Sequence, residues 1–250
     1  MPFLLRKENK YSMMDVEQIG VRSMQILFED QEVIVCYKPS GVPTQTASGS
    51  TPDMVSLLKN YLYKKQANKK EPYVAVIHRL DQPVEGILVF AKTPEAAKKL
   101  NQSLQKKDFS KQYQAVVYGR PQEEKGNLVD FLVKDGRTNL SKVVSATDAE
   151  AKEARLFYEV LTVGRDGEKE ITLVRVVLDT GRHHQIRVQM SHMGCPIWGD
   201  CKYCSEEVKD RRYRPIALCA YHLEFPHPKT GKQMIFEIEP RGEGFLLLDK

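Results

Sequence analysis

Apolar side chains recur along this chain mostly in short runs. Ile26-Leu27-Phe28 and Val33-Ile34-Val35-Cys36-Tyr37 flank the polar turn Glu29-Asp30-Gln31-Glu32, the pattern of two short strands or a hairpin. Val74-Ala75-Val76-Ile77 is rich in β-branched residues, and Gly86-Ile87-Leu88-Val89-Phe90-Ala91-Lys92 has the length of a buried strand. Gln112 to Tyr118 alternates, with Tyr113, Ala115 and Val117 on one face. Strands broken by polar turns follow over Gly126–Thr147. Ala154–Val163 and Glu170–Leu178 read as a hairpin joined through Gly164-Arg165-Asp166-Gly167. His222–Phe225 and Gln233–Ile238 form another, around Pro228-Lys229-Thr230-Gly231.

Helical spacing is confined to three segments. Asp53 caps a helix with Val55, Leu57, Leu58, Tyr61 and Leu62 mostly on one face. Thr93 as cap and Pro94 at the first helical position open a second, to about Lys107, which buries Ala97, Leu100 and Leu104. His184–Met193 is a short third, ended by Gly194. Many strands and few helices predict an α+β fold with a mainly antiparallel sheet. Residues 1–25 show no sustained period and are expected to form an N-terminal arm, with a single domain over 26–250. Lys38–Pro52, rich in Pro, Gly, Ser and Thr, is a long loop of the kind that is often functional.

The 250 residues, +5 net charge and pI near 8.8 favour a polyanionic partner only mildly, because spare surface lysines look the same. No apolar run approaches the ~20 residues of a membrane span, and the N-terminus lacks a signal-peptide pattern, so a cytoplasmic protein is expected. Five cysteines, an odd number, fit a reducing compartment. Cys201-Lys202-Tyr203-Cys204, with Cys195 and His192 nearby, is one paired element where structural zinc sites usually use two, and no metal is expected. His183 and His192 are too far apart for a helical metal pair. His183 and His184, as neighbours on a helix, are expected to point to different faces. The basic stretch Lys64–Lys70 reads equally as a solvated helix end and as an RNA contact.

The stretch with most chemical content is His78-Arg79-Leu80-Asp81, which sets one carboxylate between an imidazole and a guanidinium in a loop joining two strands. Taken alone, Asp81 reads as a turn residue paired with Arg79. The tetrapeptide nevertheless resembles the signature of the RluA-like pseudouridine synthases, and it does not stand by itself. Lys38-Pro39-Ser40-Gly41 resembles that family's first block, and Lys111-Gln112-Tyr113-Gln114-Ala115 its tyrosine block. Leu178-Asp179-Thr180-Gly181-Arg182-His183-His184-Gln185-Ile186-Arg187 resembles its arginine block, with Gly194, Pro196-Ile197 and Gly199-Asp200 in family order. Leu218-Cys219-Ala220 and Phe225–Gly231 resemble the closing blocks. The ordered set runs from about Ile26 to Pro240.

The resemblance implies the pseudouridine synthase catalytic fold and an RNA isomerase that detaches uracil, turns it and rejoins it through carbon five, without cofactor or metal. It implies Asp81 as the catalytic carboxylate, acting as nucleophile on sugar or pyrimidine or as a base at the ribose. Arg187 is implied as its ion-pair partner, and Tyr113 as the aromatic beside the target base, its hydroxyl able to take the carbon-five proton. Without the resemblance, Tyr113 reads as core and Arg187 as an exposed helix arginine. RNA contact is expected from Arg79, which suits the space left by a flipped uridine or a phosphate, and from His78, Lys38, Arg182 and His184, the last equally a structural residue. The implied partner is ribosomal or transfer RNA, bound by a monomer. Family members often carry an extra N-terminal RNA-binding module, for which no room is expected before Ile26.

Two departures stand out. The family usually has Thr-Ser-Gly where this chain has Val84-Glu85-Gly86, so Glu85 near RNA must be covered by a basic residue or point away. His183 stands where Thr is usual. Two other readings compete: a catalytically silent RNA-binding protein, such as a ribosome-assembly factor, on the same fold, and a nucleoside or glycoside hydrolase with Glu85 as its second carboxylate.

Overall fold

The computed structural model describes residues 24–46, 51–67, 70–204 and 215–248, which fall into two compact units. All but the last two residues of the expected N-terminal arm lie outside that description.

The first unit is drawn from Met1–Lys111 and Ala220–Glu239. Strand β1 (Gln25–Glu29) pairs antiparallel with β2 (Val33–Lys38), and β2 with β4 (Glu85–Ala91), Val33 facing Ala91 and Lys38 facing Gly86. The two-residue β3 (Ala75–Val76) also pairs with β4, so the chain runs down beside β4 and turns back into it after Asp81. Strand β10 (Leu218–Pro226) lies next to β4 and pairs with β11 (Gln233–Glu237). β2 and β4 are buried at every residue, which is why, apart from Lys38 and Glu85 at their ends, they run without polar alternation. Gly86 is fixed by packing: its φ is +139°, and a Cβ there would sit 2.6 Å from Ala220 backbone nitrogen and oxygen.

Two helices cover this sheet. Helix α1 (Met54–Lys65) opens with a full capping box, Asp53 accepting from Ser56 N and Ser56 Oγ accepting from Asp53 N. Helix α2 (Pro94–Gln105) is capped by Thr93, and buries Ala96, Ala97 and Leu100 against Val33, Val89, Phe225 and Phe236. Leu104 is only half-buried. Lys65, in the ambiguous basic stretch, is paired with Glu29 at 2.8 Å and lies over the Tyr61 ring.

The second unit is drawn from Gln112–Cys219 and Pro240–Lys250. Its strands β5 (Ser110–Tyr118), β6 (Lys125–Asp135), β7 (Leu140–Val144), β8 (Lys152–Asp166) and β9 (Lys169–Leu178) stand in the order β5-β9-β8-β6-β7, each pair antiparallel. The α+β fold with a mainly antiparallel sheet is therefore as predicted. The β8–β9 hairpin is longer than expected. Pairing continues through Gly164↔Ile171 to Asp166↔Lys169, and only Gly167-Glu168 reverse the chain, Gly167 at φ +63°. Helix α3 (Gln185–His192) follows β9, and a short helix α4 (Glu243–Leu246) had no signature in the sequence. Trp198 packs beneath Gly244 and donates from Nε1 to Asp166 at 2.8 Å.

Candidate active site

The Asp81 loop is held through its backbone by the long loop that follows β2. Thr44 Oγ1 donates to Leu80 O at 2.8 Å and accepts from Leu80 N at 3.1 Å, satisfying both backbone groups of the residue before Asp81. After Asp81, Gln82 O accepts from Gly41 N at 2.8 Å and from Lys38 Nζ at 3.1 Å, and Pro83 O accepts from Ser40 Oγ at 2.7 Å. The turn itself closes with Val84 N donating to Asp81 O at 3.0 Å. Asp81 is half-buried and Arg79 is exposed. One short loop thus carries an accessible carboxylate and an accessible guanidinium on a clamped main chain.

Lys38 is the buried centre of that clamp. Its side chain is fully buried, and Nζ donates to Pro39 O, Val42 O and Gln82 O at 3.1, 2.7 and 3.1 Å. An ammonium has three hydrogens, and these acceptors take all of them. The expectation that Lys38 touches RNA therefore gives way to a structural role. Burial pushes its pKa down to about 7, and the Asp81 and Glu85 carboxylates act in the opposite direction.

His78 is likewise enclosed rather than offered to RNA. It is 8% exposed, its Nε2 accepts from Val89 N at 3.3 Å, and its ring meets Phe109 edge-on. Burial, then the charge of Lys111, lowers its pKa to about 3, so the imidazole is neutral at ordinary pH. Glu85 resolves one departure from the family pattern. It is 1% exposed and points inward, accepting from Tyr37 Oη at 2.5 Å. That burial removes it as the second carboxylate of a hydrolase.

Arg187 sits in the second unit, 3% exposed on α3, contrary to the exposed helix arginine that the isolated segment suggests. Its Nε and Nη2 donate to Asp200 Oδ2 and Oδ1 at 2.7 and 2.8 Å, a bidentate pair, and its guanidinium lies 5.1 Å from the Tyr203 ring centre. Tyr203 Oη accepts from Ser141 N at 2.9 Å and is 2.7 Å from His184 Nδ1. Burial, followed by the Arg187 charge, lowers the His184 pKa to about 3.

The two adjacent histidines do not point apart. Their rings stack at 3.8 Å with 25° between planes, because His184 takes a left-handed backbone (φ 55°) ahead of the helix, where helical face geometry does not apply. His183 Nδ1 is 2.9 Å from Ser141 Oγ. With no cap from His184, Gln185 supplies the order at the helix start. Its Oε1 accepts from Arg182 N and Thr180 Oγ1, while Nε2 donates to Arg155 O and Gln189 Oε1. Arg182 is exposed, with Nε bound to Glu153 O, and Tyr113 is buried at 7% on β5 opposite Val176.

Sequence reasoning passed over Thr44 and Tyr203. Tyr203 lay in plain view between two cysteines that drew attention as metal ligands. Cys204 is half-buried, its thiol pushed up to about 12 chiefly by burial, and among the described residues no group of three or more His, Cys, Asp or Glu is placed to hold a metal. Among the described residues no helix is long and apolar enough to cross a membrane.

Comparison with known proteins bears directly on this arrangement. Residues 32–192 match the family model described as RNA pseudouridylate synthase. The chain is 35% identical to ribosomal large subunit pseudouridine synthase D of Pseudomonas aeruginosa, over 90% of this chain and 70% of that protein. It is 33% identical to the Vibrio parahaemolyticus protein of that name, over 85% and 66%, so it spans about two thirds of the length of these relatives. Among solved structures, human RNA pseudouridylate synthase domain containing 4 superposes with a TM-score of 0.71 at 23% identity, over 87% of this chain and 88% of that one. Human RNA pseudouridylate synthase domain containing 1 gives 0.72 at 21%, over 89% and 86%.

Proposed function

Because the chain belongs to the RNA pseudouridylate synthase family, a family of isomerases, we propose that it converts specific uridines of large-subunit ribosomal RNA to pseudouridine, with Asp81 as the catalytic carboxylate. The choice of RNA follows the names of its bacterial relatives and sets transfer RNA second. Cytoplasmic action accords with that substrate.

The reaction balances internally. The bond from ribose C1′ to uracil N1 breaks, the base turns, and a bond from C1′ to C5 forms; C5 loses a proton and N1 gains one. One ionised carboxylate suffices as nucleophile or base, Tyr113 is the group assigned to the base and its C5 proton, and Arg187 is the cation assigned to Asp81. Arg79 and Arg182, both exposed, remain the RNA-contacting arginines of this reading, with His184 reserved for support of Tyr203.

One observation carries the proposal. The carboxylate of the family signature stands half-exposed on a main chain hydrogen-bonded at Leu80 N and O, Gln82 O and Pro83 O. Such preorganisation is what a reacting group needs, and a simple turn residue does not. The test is pseudouridine mapping of cellular RNA from a deletion strain complemented with wild type or Asp81→Asn. A ribosomal site restored by wild type alone supports the proposal. No lost site would favour the silent RNA-binding reading.

A further inference from the structure

A second basic feature of the first unit takes no part in the Asp81 loop. Helix α2 presents Lys99, Gln102, Ser103 and Lys106, spaced i, i+3, i+4 and i+7 and so on one face, opposite the turn Pro226–Gly231. Between them lies a hollow of about 250 Å³, lined also by Asp108.

The turn forming its far wall is rigid. His227 Nδ1 accepts from Lys229 N and Thr230 N, its Nε2 is 2.8 Å from Asp30 Oδ2, and its backbone pairs with Lys232 O and Gly231 N. Two proline rings, Pro226 and Pro228, add flat apolar surface. Lys229 and Lys232 are exposed on this turn, and Lys99 and Lys106 on the helix. Their known partners are weak: Lys99 meets Glu95 at 3.8 Å on the surface and Lys229 meets Glu32 at 3.9 Å. For Lys106 and Lys232 no ion pair is found among the described residues.

We propose that this hollow seats the sugar–phosphate backbone of the substrate RNA at a point remote from the reacting uridine, a proposal that rests on the RNA-modifying reading above. Lys99 and Lys106 are seven residues apart, roughly 10 Å along the helix, too far for one phosphate to bridge but suited to a chain of them. Gln102 and Ser103 supply neutral donors between the two charges, and the proline rings suit a ribose face. The C-terminal end of a helix repels anions, so the lysine ammonium groups carry the contact and the peptide groups do not.

The site is separate from Asp81. Asp81 turns the chain into the first residue of β4, whereas His227 is bonded to Asp30, beside the strand pair Val33↔Ala91 at the far end. The seven-residue strand places them on the order of 20 Å apart. A short RNA held at Asp81 does not reach the hollow; a folded RNA does.

The test uses the whole protein, a folded transcript of large-subunit ribosomal RNA and a short single-stranded fragment of it, each in binding and pseudouridine-formation assays. In Lys99→Gln/Lys106→Gln the Kd and KM for the transcript are expected to rise about tenfold, with the slope of log affinity against log salt reduced by about 1.5 and kcat unchanged. Values for the fragment should stay put. Ser103→Trp, which fills the hollow without altering charge, should reproduce the transcript defect, and Lys99→Arg/Lys106→Arg should not. A wild-type protein that binds and modifies neither RNA defeats the parent reading. Wild type active on the transcript, with the glutamine and tryptophan variants indistinguishable from it, overturns this proposal alone, as does an equal loss on the fragment.

Discussion

The Asp81 loop and the Arg187 cluster hold their functional groups by opposite means. Around Asp81 the main chain is gripped: Lys38, Ser40 and Thr44 bind the carbonyls and the amide of the residues beside it, and the carboxylate side chain is left half-exposed. Around Arg187 the side chain itself is gripped, by Asp200 on two oxygens and by the Tyr203 ring, and almost none of it meets solvent. A clamped backbone sets where a half-exposed side chain stands without burying it. A clamped side chain fixes a charge in place, and removing one partner strands the other in a medium that solvates it poorly. The first region should therefore respond to mutation mainly in activity, the second in stability and, through the cation assigned to Asp81, in activity as well.

Asp81→Asn is the sharpest break of that comparison. Pseudouridine formation should fall by at least ~10³-fold, as when a reacting group is removed, with unfolding free energy and RNA affinity essentially unchanged. Normal turnover in this variant would remove Asp81 from the chemistry.

Acid should act on the buried imidazole that precedes the loop. The folded pKa of His78 lies near 3, below the ordinary 6.5, so its neutral burial stabilises the fold fully above about 6.5 and loses that contribution as pH falls toward 3, on the order of 5 kcal/mol across the window. Urea unfolding measured between pH 7 and 4 should show His78→Gln with a shallower pH dependence, by about one proton. An unchanged slope would mean that His78 titrates normally.

Next in size, Asp200→Ala should cost about 3–5 kcal/mol of stability by taking away the carboxylate that binds the buried Arg187 through two oxygens. Adding Arg187→Met should recover most of that loss in a denaturation experiment. If the double variant is no more stable than the single one, the side-chain clamp has been misread. Smallest, Thr44→Val keeps the shape of the residue and deletes both bonds to Leu80. About 1–3 kcal/mol of stability should go, with kcat reduced several-fold and KM little changed. A change confined to KM would place Thr44 in RNA binding instead.

How much of this was legible differs between the regions for the same reason that they behave differently. The strands, the Asp53 and Thr93 caps and the loop bearing Asp81 are written in residues a few positions apart, where periodicity and capping act. The partners of the loop are 36 to 44 positions away, and no local pattern says that Lys38 will spend its three hydrogens on carbonyls and none on phosphate. The same holds for Tyr203, whose place between two cysteines says nothing of its bonds, and for Glu85, whose inward direction depends on the pairing of its strand. His183 and His184 differ for another reason: helical face geometry begins only at Gln185, and the left-handed backbone of His184 ahead of it is set by the folded chain.

By itself, then, the sequence determined the order and type of the longer elements, though not helix α4, and with them the family and the carboxylate in its signature loop, because these depend on local spacing and on an ordered set of short motifs. Tertiary structure alone decided which polar side chains are buried and what they bind. Burying an amine, a carboxylate or an imidazole is costly until a partner is found, and the partner is chosen by the packing of distant segments.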